Sequence, residues 1–142
     1  MKQRPLKRPM SLHRAHGLVP GDRYAVIPAK VAKSLAYRSL SASALRLLTL
    51  ALTQYTGRNN GDIALTRSAL EQYGYTSADT LNRALKQLRH TGLLQLTRQG
   101  GLANGGKIPN LYAFTWLPIP ENRKLEIRTP AKASDDWATF KT

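Results

Sequence analysis

The chain has 142 residues, enough to bury one core without metal or disulfide staples, so one globular unit with tails is expected. It contains no cysteine, which excludes disulfides, thiolate catalysis and zinc sites built on Cys ligands, and fits a reducing cytoplasm. Its 22 Lys and Arg against 8 Asp and Glu give a net charge of +14, more than solubility requires; a polyanionic partner is the first inference, a merely basic surface the plain alternative.

Residues 1–23 carry Lys2, Arg4, Lys7, Arg8, Arg14 and Arg23 against Asp22 alone, with prolines and few large apolar side chains. Such a segment buries too little surface to order itself, and a flexible basic arm is expected. The start, MKQRPLKRPMSLHRAHG, lacks an apolar run of about seven residues, so it does not resemble a secretory signal. Ala44 to Leu52 is the longest apolar-rich stretch, and Arg46 and Thr49 interrupt it, so no membrane span and no membrane partner are expected.

Tyr24 to Ile27 is a short extended stretch. Pro28 then suits the first turn of a short helix that runs through Val31 and Leu35 to about Tyr37. Ser41 caps a longer helix in which Leu45, Leu48, Leu52 and Tyr55 mark a buried face, widened by Ala44, Leu47 and Ala51, with Gly57 as its stop. GRNNGD is a turn by chemistry, and IALT is short enough to be one edge strand. Thr66 caps a helix from Ser68 to about Tyr73, which Gly74 breaks. Ser77 caps a third helix, Ala78 to His90, with Asp79 in its first turn, Leu81, Leu85 and Leu88 inward, and Gly92 closing it.

After Gly92 the apolar period shortens to two. LLQLT and LYAFTW are strand-like, the second placing Tyr112, Phe114 and Trp116 on one side, and the glycine-rich QGGLANGGKIPN lies between them. Residues 118–142 open with Pro118 and Pro120 and are mixed in charge, which marks a tail in which Trp137 and Phe140 are candidates for docking. The order helix, strand, helix, helix, hairpin is that of a winged helix-turn-helix. The expected fold class is therefore α+β, mainly α, with a three-helix core and β-hairpin wing over residues 24–117, an arm over 1–23 and a tail over 118–142.

A helix that enters the major groove is held from behind by apolar contacts and shows polar side chains in front, and the third helix divides this way. Its front offers Ser77, Thr80, Arg83, Lys86, Gln87 and His90, with Thr76 just before it. Side chains near its start are placed to meet base edges, and Arg67, Arg83 and Lys86 to meet phosphates. Asp79 opposes deep insertion, because phosphate repels a carboxylate, unless it serves only the helix. Arg98 and Lys107 flank the glycine-rich hairpin and supply charge for phosphates or the minor groove. Against each basic residue stands the plainer possibility of a solvated helix face, and against the wing that of a loose loop.

The run TLNRALKQLRHTGLL resembles the recognition helix and following strand of bacterial winged-helix regulators. YRSLSASALRLLTLALTQYTGRNNGDIALT resembles small helix-turn-helix proteins of prophages, plasmids and integrative elements, some related to the DNA-binding parts of replication initiators. The resemblance spans about Tyr24 to Leu117. It implies a sequence-specific double-stranded DNA binder acting as a transcriptional regulator or replication-associated factor. One departure is the turn Gly74-Tyr75-Thr76-Ser77, about one residue longer than the usual short form.

Three histidines and eight carboxylates, mostly isolated, form no poised acid–base pair, so no enzymatic activity is expected. His13 and His16 have a spacing that suits a metal on a helix but no further ligand nearby, and no metal is expected. QGGLANGGK is not a nucleotide-hydrolase phosphate loop, because its Lys lacks a following Ser or Thr, and no cofactor is expected. The alternative to DNA binding is a protein-interaction module docking onto a replication or ribonucleoprotein complex through Trp137, Phe140 and Tyr37. RNA binding ranks last, since clustered aromatics for a single-strand platform are missing. Pairing over two half-sites makes a homodimer compatible with the DNA reading, although neither tail offers a strong dimer helix.

Overall fold

A computed structural model of the protein describes residues 12–103 and 106–142, except for the side chains of 12, 13 and 103. Residues 1–11, with most of the charge of the expected arm, and positions 104 and 105 of the expected wing lie outside the described residues; so does the His13 side chain of the His13–His16 pair.

After a short helix α1 (Leu12–Ala15), the helix expected through Val31 and Leu35 is two, α2 (Ala29–Ala32) and α3 (Leu35–Arg38). Ser34 divides them. Its hydroxyl donates to the Val31 carbonyl at 2.6 Å, and its oxygen accepts the Tyr37 N–H at 3.2 Å, so one side chain ends the first turn and caps the second.

Helix α4 (Ala42–Leu52) begins as expected, with the Ser41 hydroxyl accepting the Ala44 N–H at 3.2 Å. It ends before Gly57, because the Gln54 and Tyr55 N–H groups bond to Ala51 and Leu52 in tighter i to i−3 turns. Ala44, Leu47, Leu48, Ala51 and Leu52 are buried, whereas Leu45 and Tyr55 are only half-buried against the core. The buried face is thus the widened one, rotated away from the expected Leu45–Tyr55 line.

Strand β1 (Ile63–Ala64) leads to α5 (Arg67–Leu70), capped by Thr66 and continued as a 3-10 turn, Glu71–Tyr73, that stops at Gly74 with φ 99°. Helix α6 (Ala78–His90) starts on the Ser77 cap and buries Leu81, Ala84 and Leu88 against α4, with Leu85 half-buried.

Strands β2 (Leu94–Arg98) and β5 (Leu111–Phe114) then form an antiparallel sheet in the order β1-β5-β2, with a register shift between Leu96 and Arg98. Beyond it, β3 (Gly101–Ala103) and β4 (Gly106–Ile108) pair as a separate two-stranded ribbon. Central β5 alternates between two cores, as a period of two requires. Tyr112 and Phe114, with Trp116 after them, join the helices, and Leu111 and Ala113 join a second cluster on the opposite face.

That second cluster is covered by the C-terminal segment. Ile119 and Leu125 are buried in it, Ile119 pairs with Ala131, and the Glu126 N–H donates to the Thr97 carbonyl at 2.8 Å. Further on, the 3-10 turn Asp136–Thr139 carries Trp137, which packs with Phe140 on the helical core. Residues 118–142 therefore cover one sheet face and one helical edge. Buried Asn60 fastens the GRNNGD turn to the end of β5: its amide donates to the Phe114, Leu117 and Pro118 carbonyls at 3.0, 3.1 and 3.2 Å, and its oxygen accepts the Phe114 N–H at 2.8 Å. The architecture is α+β, helices on one face of a small antiparallel sheet. Among the described residues no helix is long and apolar enough to cross a membrane.

Candidate nucleic-acid interface

Two contacts bolt the segment before α6 onto α4. Tyr75 is buried, and its hydroxyl donates to the Ser43 carbonyl at 2.6 Å. The Arg46 guanidinium donates to the Tyr73 carbonyl and lies 5.6 Å from the Tyr75 ring centroid. The long turn is thus filled by a packed aromatic residue. Since α6 starts three residues after Tyr75, these contacts set the direction in which its polar face looks.

With Leu81, Ala84 and Leu88 fixing the inner side, a turn of about 100° per residue centres the outer side near Asp79, Asn82, Arg83, Lys86, Arg89 and His90, all exposed. Arg83 pairs with Asp79 at 2.6 Å, with side chains 80% and 70% exposed, so Asp79 offsets part of the Arg83 charge on that face. Such an exposed i,i+4 pair adds little to stability. Thr80 is exposed on the flank, on the side of Gln87. Gln87 itself is half-buried, and its side-chain oxygen accepts the Ser41 N–H at 2.8 Å, so it ties α6 to the start of α4. His90 meets Phe140 edge-to-face at 5.8 Å, where the C-terminal segment closes the far end of the helix. Ser77 caps the helix through the Thr80 N–H at 3.4 Å, and Thr76 is exposed beside it.

Between α6 and strands β2 and β5 runs an open groove of about 930 Å³, lined by Asn82, Lys86 and Arg89 from the helix, by Gln95 and Asn110 from the sheet side, and by Leu85, Leu94 and Leu96. It adjoins a hollow of about 220 Å³ that shares Asn82, Leu85, Asn110 and Tyr112 and reaches Arg67 at the start of α5. Arg67, Lys86 and Arg89 thus border one continuous depression whose single lining carboxylate, Asp136, lies at the His90 end. The arrangement suits an extended anion that meets cations on one side and amide groups on the other.

The hairpin residues divide. Lys107 is exposed on the outer ribbon, as a phosphate contact requires. Arg98 is turned back into the hairpin, where its guanidinium donates to the Pro109 carbonyl at 2.9 Å, so it braces the strand junction. Sequence reasoning overlooked Asn82 and Arg89. Their signal was present: Asn82, Lys86 and Arg89 recur at the four-then-three spacing of one helix stripe, opposite Ala84 and Leu88.

Among the described residues no group of three or more His, Asp or Glu side chains is gathered to hold a metal. No protein-family model, curated protein or solved structure matches the chain.

Proposed function

We propose that the protein is a winged helix-turn-helix DNA-binding protein. Helix α6 enters the major groove of a duplex, with Thr76, Ser77, Thr80 and Asn82 toward base edges. Arg67, Arg83, Lys86, Arg89 and Lys107 bear on phosphates. The observation that carries this reading is the exposed cationic stripe of α6, backed by buried Leu81, Ala84 and Leu88 and bordering a groove against strands β2 and β5. A role as transcriptional regulator or replication-associated factor of a mobile element follows from the resemblance of TLNRALKQLRHTGLL and its upstream stretch, and is proposed on that footing.

Docking onto a replication or ribonucleoprotein complex has less support, because Tyr37, Trp137 and Phe140 already pack against the protein's own core. Selection of bound duplexes from a random pool, followed by footprinting, tests the DNA reading. A recurring motif protected over one major groove and its flanking phosphates supports it, and a pool that stays random contradicts sequence-specific recognition.

A further inference from the structure

Leu102 on β3 is 87% exposed, more than any other large apolar side chain among the described residues. A single exposed leucine is ordinary on a protein surface. This one differs in its surroundings. Leu102 is paired with Lys107 across the β3–β4 ribbon, and directly opposed residues of an antiparallel pair share a face. Lys107 is itself exposed, so both side chains of that pair are open to solvent.

One ribbon face thus presents a bare leucine beside an ammonium group, in a protein of net charge +14. That pairing is complementary to one kind of surface, an apolar crevice bordered by anions. The DNA minor groove has this chemistry: base-pair edges lie at its floor, phosphates line its rims, and apolar side chains enter by prising a base step apart.

We propose that Leu102 acts as an apolar wedge in the minor groove next to the major groove taken by α6, with Lys107 on a rim phosphate, so that the protein bends the DNA it binds. The inference rests on the DNA-binding reading and adds to it a deformation of the duplex. The wedge favours flexible pyrimidine–purine steps, TA above all, because those unstack most readily.

The test is energy transfer between dyes at the two ends of a short duplex carrying a central TA step, titrated with the full chain at low salt. The wild-type protein is expected to raise the transfer as it binds. Leu102→Ala keeps its thermal midpoint and binds within about threefold of wild type, yet leaves the ends as far apart as in free DNA. Lys107→Ala still bends the duplex but holds it with a weaker salt dependence. Binding without any change in transfer, or equal bending by Leu102→Ala, overturns the wedge and leaves DNA binding intact. No binding at low salt overturns the DNA reading and the wedge with it.

Discussion

The Tyr75 hydroxyl donates to the Ser43 backbone carbonyl at 2.6 Å, joining the turn that precedes α6 to the first turn of α4. Removing that hydroxyl leaves a part-buried carbonyl without its partner while the ring stays in the core. Tyr75→Phe is expected to cost about 1 kcal/mol in urea unfolding. Because the same turn aims α6, duplex affinity is expected to fall in conditions where the variant is fully folded.

Gln87 and its neighbour Lys86 are expected to separate cleanly. Gln87→Ala loses the bond to the Ser41 N–H and lowers stability by about 1 kcal/mol, with the salt dependence of duplex binding unchanged. Lys86→Ala and Arg89→Ala leave the urea midpoint where it is and each reduce the slope of log affinity against log salt by about one. Unfolding and binding titrations on the three variants check the contrast.

Asn60→Ala removes both donors and the acceptor that hold the end of β5. Four backbone groups then lose this partner in the interior, and a loss of about 3 kcal/mol is expected in chemical denaturation. Asn60→Asp keeps the shape but loses the donors and brings a buried charge, so it does not rescue.

Gly92 has φ 80°, and a Cβ there would lie 2.7 Å from the Asp136 backbone carbon. Two effects oppose a side chain, the left-handed backbone and the collision with the C-terminal 3-10 turn. Asn tolerates the first but not the second. Gly92→Asn is therefore expected to be nearly as destabilising as Gly92→Ala, by about 2 kcal/mol or more in thermal unfolding, whereas a purely conformational role would let Asn recover most of the loss.

Much of the domain was legible because its signals are local. Ser41, Thr66 and Ser77 each cap from their own hydroxyl, Gly74 ends a helix where φ turns positive, and the alternation in LYAFTW set the two faces of β5. What escaped depends on partners distant in sequence. Ile119, Leu125 and Ala131 follow no helix or strand period, and only contact with β5 and Thr97 makes them a layer. Gln87 and Arg98 look like free surface side chains until Ser41 and Pro109 are brought beside them. The break at Ser34 was missed because the side chain competes with the backbone there, and apolar spacing does not record that competition.

The most direct measurement is duplex affinity as a function of salt, for the wild type and for a chain with Arg67, Lys86 and Arg89 all changed to Ala. The wild type is expected to bind at low salt and weaken steeply as salt rises, and the triple variant, equally folded, to lose about three units of that slope. A folded triple variant that binds with the wild-type affinity and slope would contradict the assignment of the α6 groove as the DNA-binding face.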